Sequence, residues 1–260
     1  MMKRFLSMSS LVFVAAAWLP AQEEGAPKAP DPQVAKDVSA FNELVADKKM
    51  SKDLEARAYL SKWVQSFETM HSKDQQAVIK ALSAVFLRAK QREPEKLELY
   101  DASAVALSRM GKAGAKVLRD AFGNSRYRKS EWIPLRGRLI ASLGQTQDLG
   151  SWDFILDTAL RDPEDQIMAK AGGALANYEK ADIKIRREIV KKLLKRFVEI
   201  QNQSRTESLD DPVAQTRQRT YAAIADPWNT TLAKLSGQTF RSPQDWEKWW
   251  NNHKDDNWGG

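Results

Sequence analysis

Apolar residues recur at alternating steps of four and three along much of this chain. Ala56, Leu60, Trp63, Phe67 and Met70 do so over residues 52–70, and Val78, Ile79, Leu82, Val85 and Phe86 continue the pattern over 74–92. Such a stripe belongs to a helix packed on one side, and no stretch of similar length alternates with the period of two that a half-buried strand would need. The punctuation agrees. Asp31-Pro32, Asp162-Pro163, Asp211-Pro212 and Ser242-Pro243 each place a side-chain acceptor where a helix should start and a proline just inside it. The acceptor caps free amides of the first turn, and proline loses nothing where the amide has no helical partner. Gly111, Gly123 and Gly144 suit the C-terminal turns of helices. The pattern predicts an all-α chain of about ten or eleven helices.

A longer period lies over the short one. Leu107 and Met110 are followed by Ile140 and Leu143, then Leu175 and Tyr178, then Tyr221 and Ile224, at intervals of 33, 35 and 46 residues. That is the length of one helical hairpin, too small to bury its own apolar face and therefore stacked on its neighbours. Hairpins are expected over residues 96–123, 131–161, 164–203 and 212–240, forming an α-solenoid or superhelix. Small residues recur at matching places, among them Ala104, Gly137, Ala171, Gly172 and Ala223. They let successive helices approach closely.

The ends differ from this body. Lys3 and Arg4 precede an apolar run, Leu11 to Trp18, and then Leu19-Pro20-Ala21. This reads as a secretory signal peptide over residues 1–21, its apolar run short for a membrane span; retention as an anchor is the alternative to cleavage. Residues 22–31 hold Glu23, Glu24, Pro27 and Pro30 with almost nothing large and apolar, which reads as a disordered tether. The solenoid is expected over 32–252, and residues 253–260 as a flexible tail. Localisation follows as exported, in the periplasm or cell envelope, with no transmembrane span after cleavage. There is no cysteine, so neither disulfides nor a lipidated cysteine enter, and stability rests on a packed core. Without Lys3 and Arg4 the formal charge falls from +7 to +5, a modest excess that does not imply nucleic-acid binding.

The chain resembles the HEAT-repeat family in its short form common in exported bacterial proteins. The resemblance is carried by first helices ending Ala106-Leu107-Ser108-Arg109-Met110-Gly111 and Ile140-Ala141-Ser142-Leu143-Gly144, and by the Arg161-Asp162-Pro163 junction. An ending with Leu235, Gly237, Gln238 and Phe240, then Asp245, Trp246, Trp249 and Trp250, is similar to one that recurs in such proteins. The similarity spans about residues 96–252 and is degenerate, with no chemically diagnostic position. It implies a curved right-handed stack whose second helices line the concave side and bind other macromolecules.

Those second helices hold the charge. Residues 112–138 carry eight basic side chains against Asp120 and Glu131, and residues 184–196 carry seven against Glu188. Helical spacing puts Lys112, Lys116 and Arg119 in one row, and Lys184, Arg187, Lys191 and Lys195 in another, opposite the apolar Ile185, Ile189, Leu193, Phe197 and Ile200. These seven cations are the candidate partner-binding residues, suited to an acidic protein or envelope polymer. A solvated helix face reads the same way, and Asp153 and Asp157 on the helix between would interrupt a continuous stripe. Trp246, Trp249 and Trp250 fit either a cap on the open end of the stack or an exposed aromatic patch.

Catalytic signatures are missing from the sequence. There are two histidines, His71 and His253, without a His-Glu-x-x-His helix or Cys and His pairs. The segment from Gly111 to Lys116 lacks the spacing and Lys-Ser/Thr ending of a phosphate loop, and no Gly-x-Ser-x-Gly occurs. No metal or other cofactor is expected. The sequence therefore favours a non-enzymatic scaffold, with an accessory or degenerate enzyme of lyase-like or glycosylase-like helical fold as the alternative, and no nucleic-acid partner.

Overall fold

The computed structural model describes residues 29–205, 211–256 and 258. Over these residues the chain is all-helical, without a strand. Eleven α-helices follow one another: α1 (Pro32–Val45), α2 (Asp53–Ser66), α3 (Ser72–Leu87), α4 (Glu98–Ser108), α5 (Gly111–Phe122), α6 (Ile133–Gln145), α7 (Trp152–Arg161), α8 (Asp165–Ala174), α9 (Ile183–Ser204), α10 (Pro212–Ser236) and α11 (Pro243–His253). None is long and apolar enough to cross a membrane. The expected leader, and the tether up to residue 28, lie outside the described residues.

The helices sort into two layers by parity. In the even layer α2 packs on α4, α4 on α6, α6 on α8 and α8 on α10; in the odd layer α1 packs on α3, α3 on α5, α7 on α9 and α9 on α11. Phe122 of α5 and Phe154 of α7 meet edge to face with ring centroids 5.7 Å apart, which carries the odd layer across its remaining step. Sequence neighbours such as α4 and α5, α6 and α7, and α9 and α10 join the layers. One continuous apolar core runs between them, from Val34 through Leu107, Leu143 and Leu193 to Trp246. The stripes predicted over 52–70 and 74–92 are the buried faces of α2 and α3: Ala56, Leu60, Trp63, Val78, Leu82, Val85 and Phe86 are all within it.

Three of the four acceptor-proline pairs cap helices. Asp31 accepts from the Gln33 amide at 2.8 Å, Asp211 from Val213 at 2.9 Å and Ser242 from Asp245 at 3.2 Å. Asp162 does not cap α8, which begins three residues later. Its carboxylate is drawn to Arg136 of α6 at 2.5 Å and to the Glu164 amide at 3.0 Å. Gly144 lies in the last turn of α6 as expected, and a Cβ there would stand 2.7 Å from the Ala174 Cβ and carbonyl oxygen, so it also permits α6 and α8 to approach. The left-handed C-cap is Gly237 after α10, with φ of 73°.

The hairpin expected over 212–240 is a single helix of 25 residues that passes through Pro227. Proline removes one helical hydrogen bond and usually breaks or kinks a helix. Here the following turn is held from outside, because the Trp228 indole donates to the Met168 carbonyl at 3.2 Å and the Thr231 hydroxyl to the Gly172 carbonyl at 2.8 Å. The last pair of the ladder is therefore α10 with α11, each packed on its predecessor in its own layer.

At the opposite end Asp37 of α1 and Lys62 of α2 form an ion pair at 2.5 Å, and Gln33 donates to the same carboxylate at 2.8 Å. Burial pushes the Asp37 carboxyl up, but these two donors outweigh it and hold it below its ordinary value. A carboxylate with a depressed folded pKa contributes stability that is present above the ordinary carboxylate range and lost as pH falls through the folded value. Denaturant unfolding between neutral pH and about pH 2 is expected to show a steeper acid loss for wild type than for Asp37→Asn. Parallel curves would mean that the pair contributes nothing.

Candidate interaction surface

The odd layer carries all seven cations singled out from the sequence, but they do not form one row. On α5, Lys112 and Lys116 are exposed. Arg119 is half-buried, its guanidinium 4.8 Å from the Phe154 ring centroid and 3.5 Å from the Gly150 carbonyl, so it joins α5 to α7. On α9, Lys184, Lys191 and Lys195 are exposed, while Ile189, Leu193, Phe197 and Ile200 are buried on the opposite face. Helix α7 stands between the two groups, bearing exposed Asp153 and the Asp157–Arg161 pair at 2.9 Å. The five lysines have no ion-pair partner among the described residues.

Arg187 departs from its expected role. It donates to the Asp255 carbonyl at 3.0 Å and to that of Asp256, and its guanidinium lies 5.7 Å from the Trp258 ring. Its neighbour Arg186 donates to the Leu235 carbonyl at 3.1 Å and to the Trp258 carbonyl at 3.2 Å. Of the segment expected to be a flexible tail, residues 253–256 and 258 are described, and Trp258, 9% exposed, lies over the start of α9 and packs on Trp249 and Trp250. Main-chain carbonyls take up the guanidinium that helical spacing alone had assigned to a partner.

The aromatic ending resolves in the same way. Trp246 is fully buried and donates to the Asn229 side chain at 2.9 Å, while Trp249 and Trp250 are half-buried around Trp258. Both histidines have local partners. His71 Nδ1 accepts from the Lys73 amide at 3.1 Å, and His253 lies 2.8 Å from Asp256 and stacks on Trp249. Among the described residues no three His, Asp or Glu side chains gather as a metal site requires.

Two grooves were not legible in the sequence. One, of about 550 Å³ between α3 and α5, has Ile79, Met110 and Val117 in its floor, and Lys80, Lys116 and Asp120 among its lining residues. The other, of about 1000 Å³ between α2 and α4, exposes Leu54 and Val105 beside Arg57, Arg109 and Glu98. Each is built from side chains of helices far apart in the chain, so no spacing along one helix announces it. Lys80 is accordingly a surface cation that the sequence reading missed. No protein-family model, curated protein or solved structure matches this chain.

Proposed function

We propose that this chain is an exported, non-enzymatic scaffold: a short HEAT-like α-solenoid that holds an acidic protein or polymer of the cell envelope on the solvent face of its odd-numbered helices. The observation that carries this reading is the trio Lys184, Lys191 and Lys195, exposed on one side of α9 and without an acidic partner among the described residues. Steps of seven and four residues keep three ammonium groups on one helix face over roughly 16 Å. Like charges so placed repel each other, and an anionic partner relieves that repulsion. Lys112 and Lys116 add charge on the same layer, two helices away.

The parity-sorted ladder supports the solenoid, since each helix contacts its layer neighbours and its chain neighbours, as stacked hairpins do. Export rests on the leader pattern of Lys3, Arg4 and the Leu11 to Trp18 run. Partner recovery from envelope extract is expected to fall sharply when Lys184, Lys191 and Lys195 are all changed to Glu, and to fall for wild type as salt is raised. Arg187 is left intact in that variant because it holds the chain's own C-terminal segment. Unchanged recovery at low salt by the charge-reversed protein removes α9 from the account.

A further inference from the structure

We infer that the groove between α3 and α5 is a peptide dock that takes an acidic amphipathic helix of a partner protein. The inference rests on the odd-layer reading above and narrows it from any acidic molecule to a protein segment with apolar anchors.

The floor and the surrounding charges point to different halves of that occupant. Ile79 is half-buried and supplies most of the apolar side-chain surface of the floor, beneath which Met110, Val117 and Phe67, from the turn after α2, are buried. A volume of about 550 Å³ falls in the range of side-chain and ligand pockets, about 300–1,000 Å³. Met110 suits such a floor because an unbranched thioether adapts its shape. The wall is fixed rather than loose: Gln75 of α3 donates to the Phe67 carbonyl at 2.7 Å.

Lys80 and Lys116 line the groove from α3 and α5, and exposed Lys112 stands one turn before Lys116. Asp120 is the acidic side chain among the lining residues. Two lining cations against one anion leave the groove net positive, which favours a negatively charged occupant. A purely anionic polymer would satisfy the lysines and leave the apolar floor wet, and a wholly apolar segment would leave the lysines without partners. An amphipathic helix with apolar residues at i, i+3 or i+4, and i+7, flanked by Asp or Glu, satisfies both. The 12 residues of α5 and the 16 of α3 give walls long enough for about three turns of such a helix.

A displayed library of random peptides about a dozen residues long, selected on the full chain, tests the assignment. Enriched peptides are expected to combine helically spaced Leu, Ile, Phe or Met with Asp or Glu, and to bind saturably in fluorescence anisotropy. Ala113 is an exposed lining residue in the first turn of α5, where a carboxylate is tolerated by the helix. Ala113→Glu is therefore expected to keep the circular dichroism spectrum and to weaken the enriched peptide by at least about tenfold. Lys80→Glu with Lys116→Glu should do the same, whereas Asp120→Asn should tighten binding.

No enrichment, enriched peptides without acidic residues, affinity indifferent to Ala113→Glu, or equal competition by polyglutamate each overturns the dock. The variant with all three α9 lysines reversed separates the two claims. If it binds the enriched peptide normally yet keeps its envelope partners, the dock stands and the α9 surface falls. If it loses those partners while no peptide responds to the groove variants, the opposite holds.

Discussion

Replacing Trp228 by alanine is expected to lower the unfolding free energy by about 3–5 kcal/mol, read from urea midpoints at constant m-value. Trp228 is fully buried where three helices meet. It projects from α10, donates to the Met168 carbonyl of α8 at 3.2 Å, and meets Phe197 of α9 edge to face at 5.7 Å. Its removal opens a cavity and takes away the indole hydrogen bond that ties α10 to the Met168 carbonyl of α8, and both effects run in the same direction. It also withdraws the support beside Pro227, where the helix has one hydrogen bond fewer. Gly172 lies directly under the ring: a Cβ there would be 2.0 Å from the indole nitrogen. Gly172→Ala alone should therefore destabilise by about 1–3 kcal/mol or more through overpacking. In the Trp228→Ala background the same methyl enters vacated space, and its cost should nearly vanish. Strict additivity of the two substitutions would contradict this account, because residues sharing one volume must couple.

The contrast between Trp228 and the cations shows where sequence reading stops. The apolar stripes of α2, α3 and α9 were legible because each lies on one helix and the helical period fixes which residues share a face. So were the caps at Asp31, Asp211 and Ser242, whose partners are two or three residues away. Asp162 and the hairpin expected over 212–240 read differently for one shared reason. Each was decided by a residue remote in the chain: Arg136 for Asp162, and the carbonyls of Met168 and Gly172 for the turn after Pro227. The candidate surface divides along the same line. Lys184, Lys191 and Lys195 stayed in the row that spacing assigned, whereas Arg119 turned to Phe154 and Arg187 to the C-terminal segment. The groove lined by Lys80 and Lys116 could not be read at all, since it exists only once α3 is laid against α5.

Arg92→Ala is expected to cost about 3–5 kcal/mol, and it tests a part of the fold that no repeat pattern marks. Arg92 sits in the loop between α3 and α4 with its side chain 1% exposed. Its guanidinium grips Asp53 at the start of α2 with both carboxylate oxygens engaged, at 2.6 and 2.7 Å. Its own amide donates to the Tyr100 hydroxyl at 3.2 Å, and Tyr100 stacks on Phe86 with centroids 5.4 Å apart. Tyr127, whose hydroxyl donates to the Phe86 carbonyl at 2.8 Å, is pushed far above the ordinary phenol range by burial and by Tyr100 beside it, so it remains a donor throughout the folded range. Burial disfavours the Arg92 charge as well, and the paired carboxylate outweighs it. Because guanidinium does not deprotonate in proteins, Asp53→Asn leaves a buried cation without its counter-charge and should cost nearly as much as removing the arginine. Arg92→Lys keeps the charge but loses the two-pronged geometry, and should fall between wild type and Arg92→Ala. The decisive comparison is Arg92→Met with Asp53→Leu, which removes both charges and keeps apolar volume. It should recover most of the loss, since a buried guanidinium matched to a half-buried carboxylate contributes little beyond what apolar packing supplies. A double variant as unstable as the sum of its singles would mean that the pair is not coupled, and that this corner is held by the tyrosines alone.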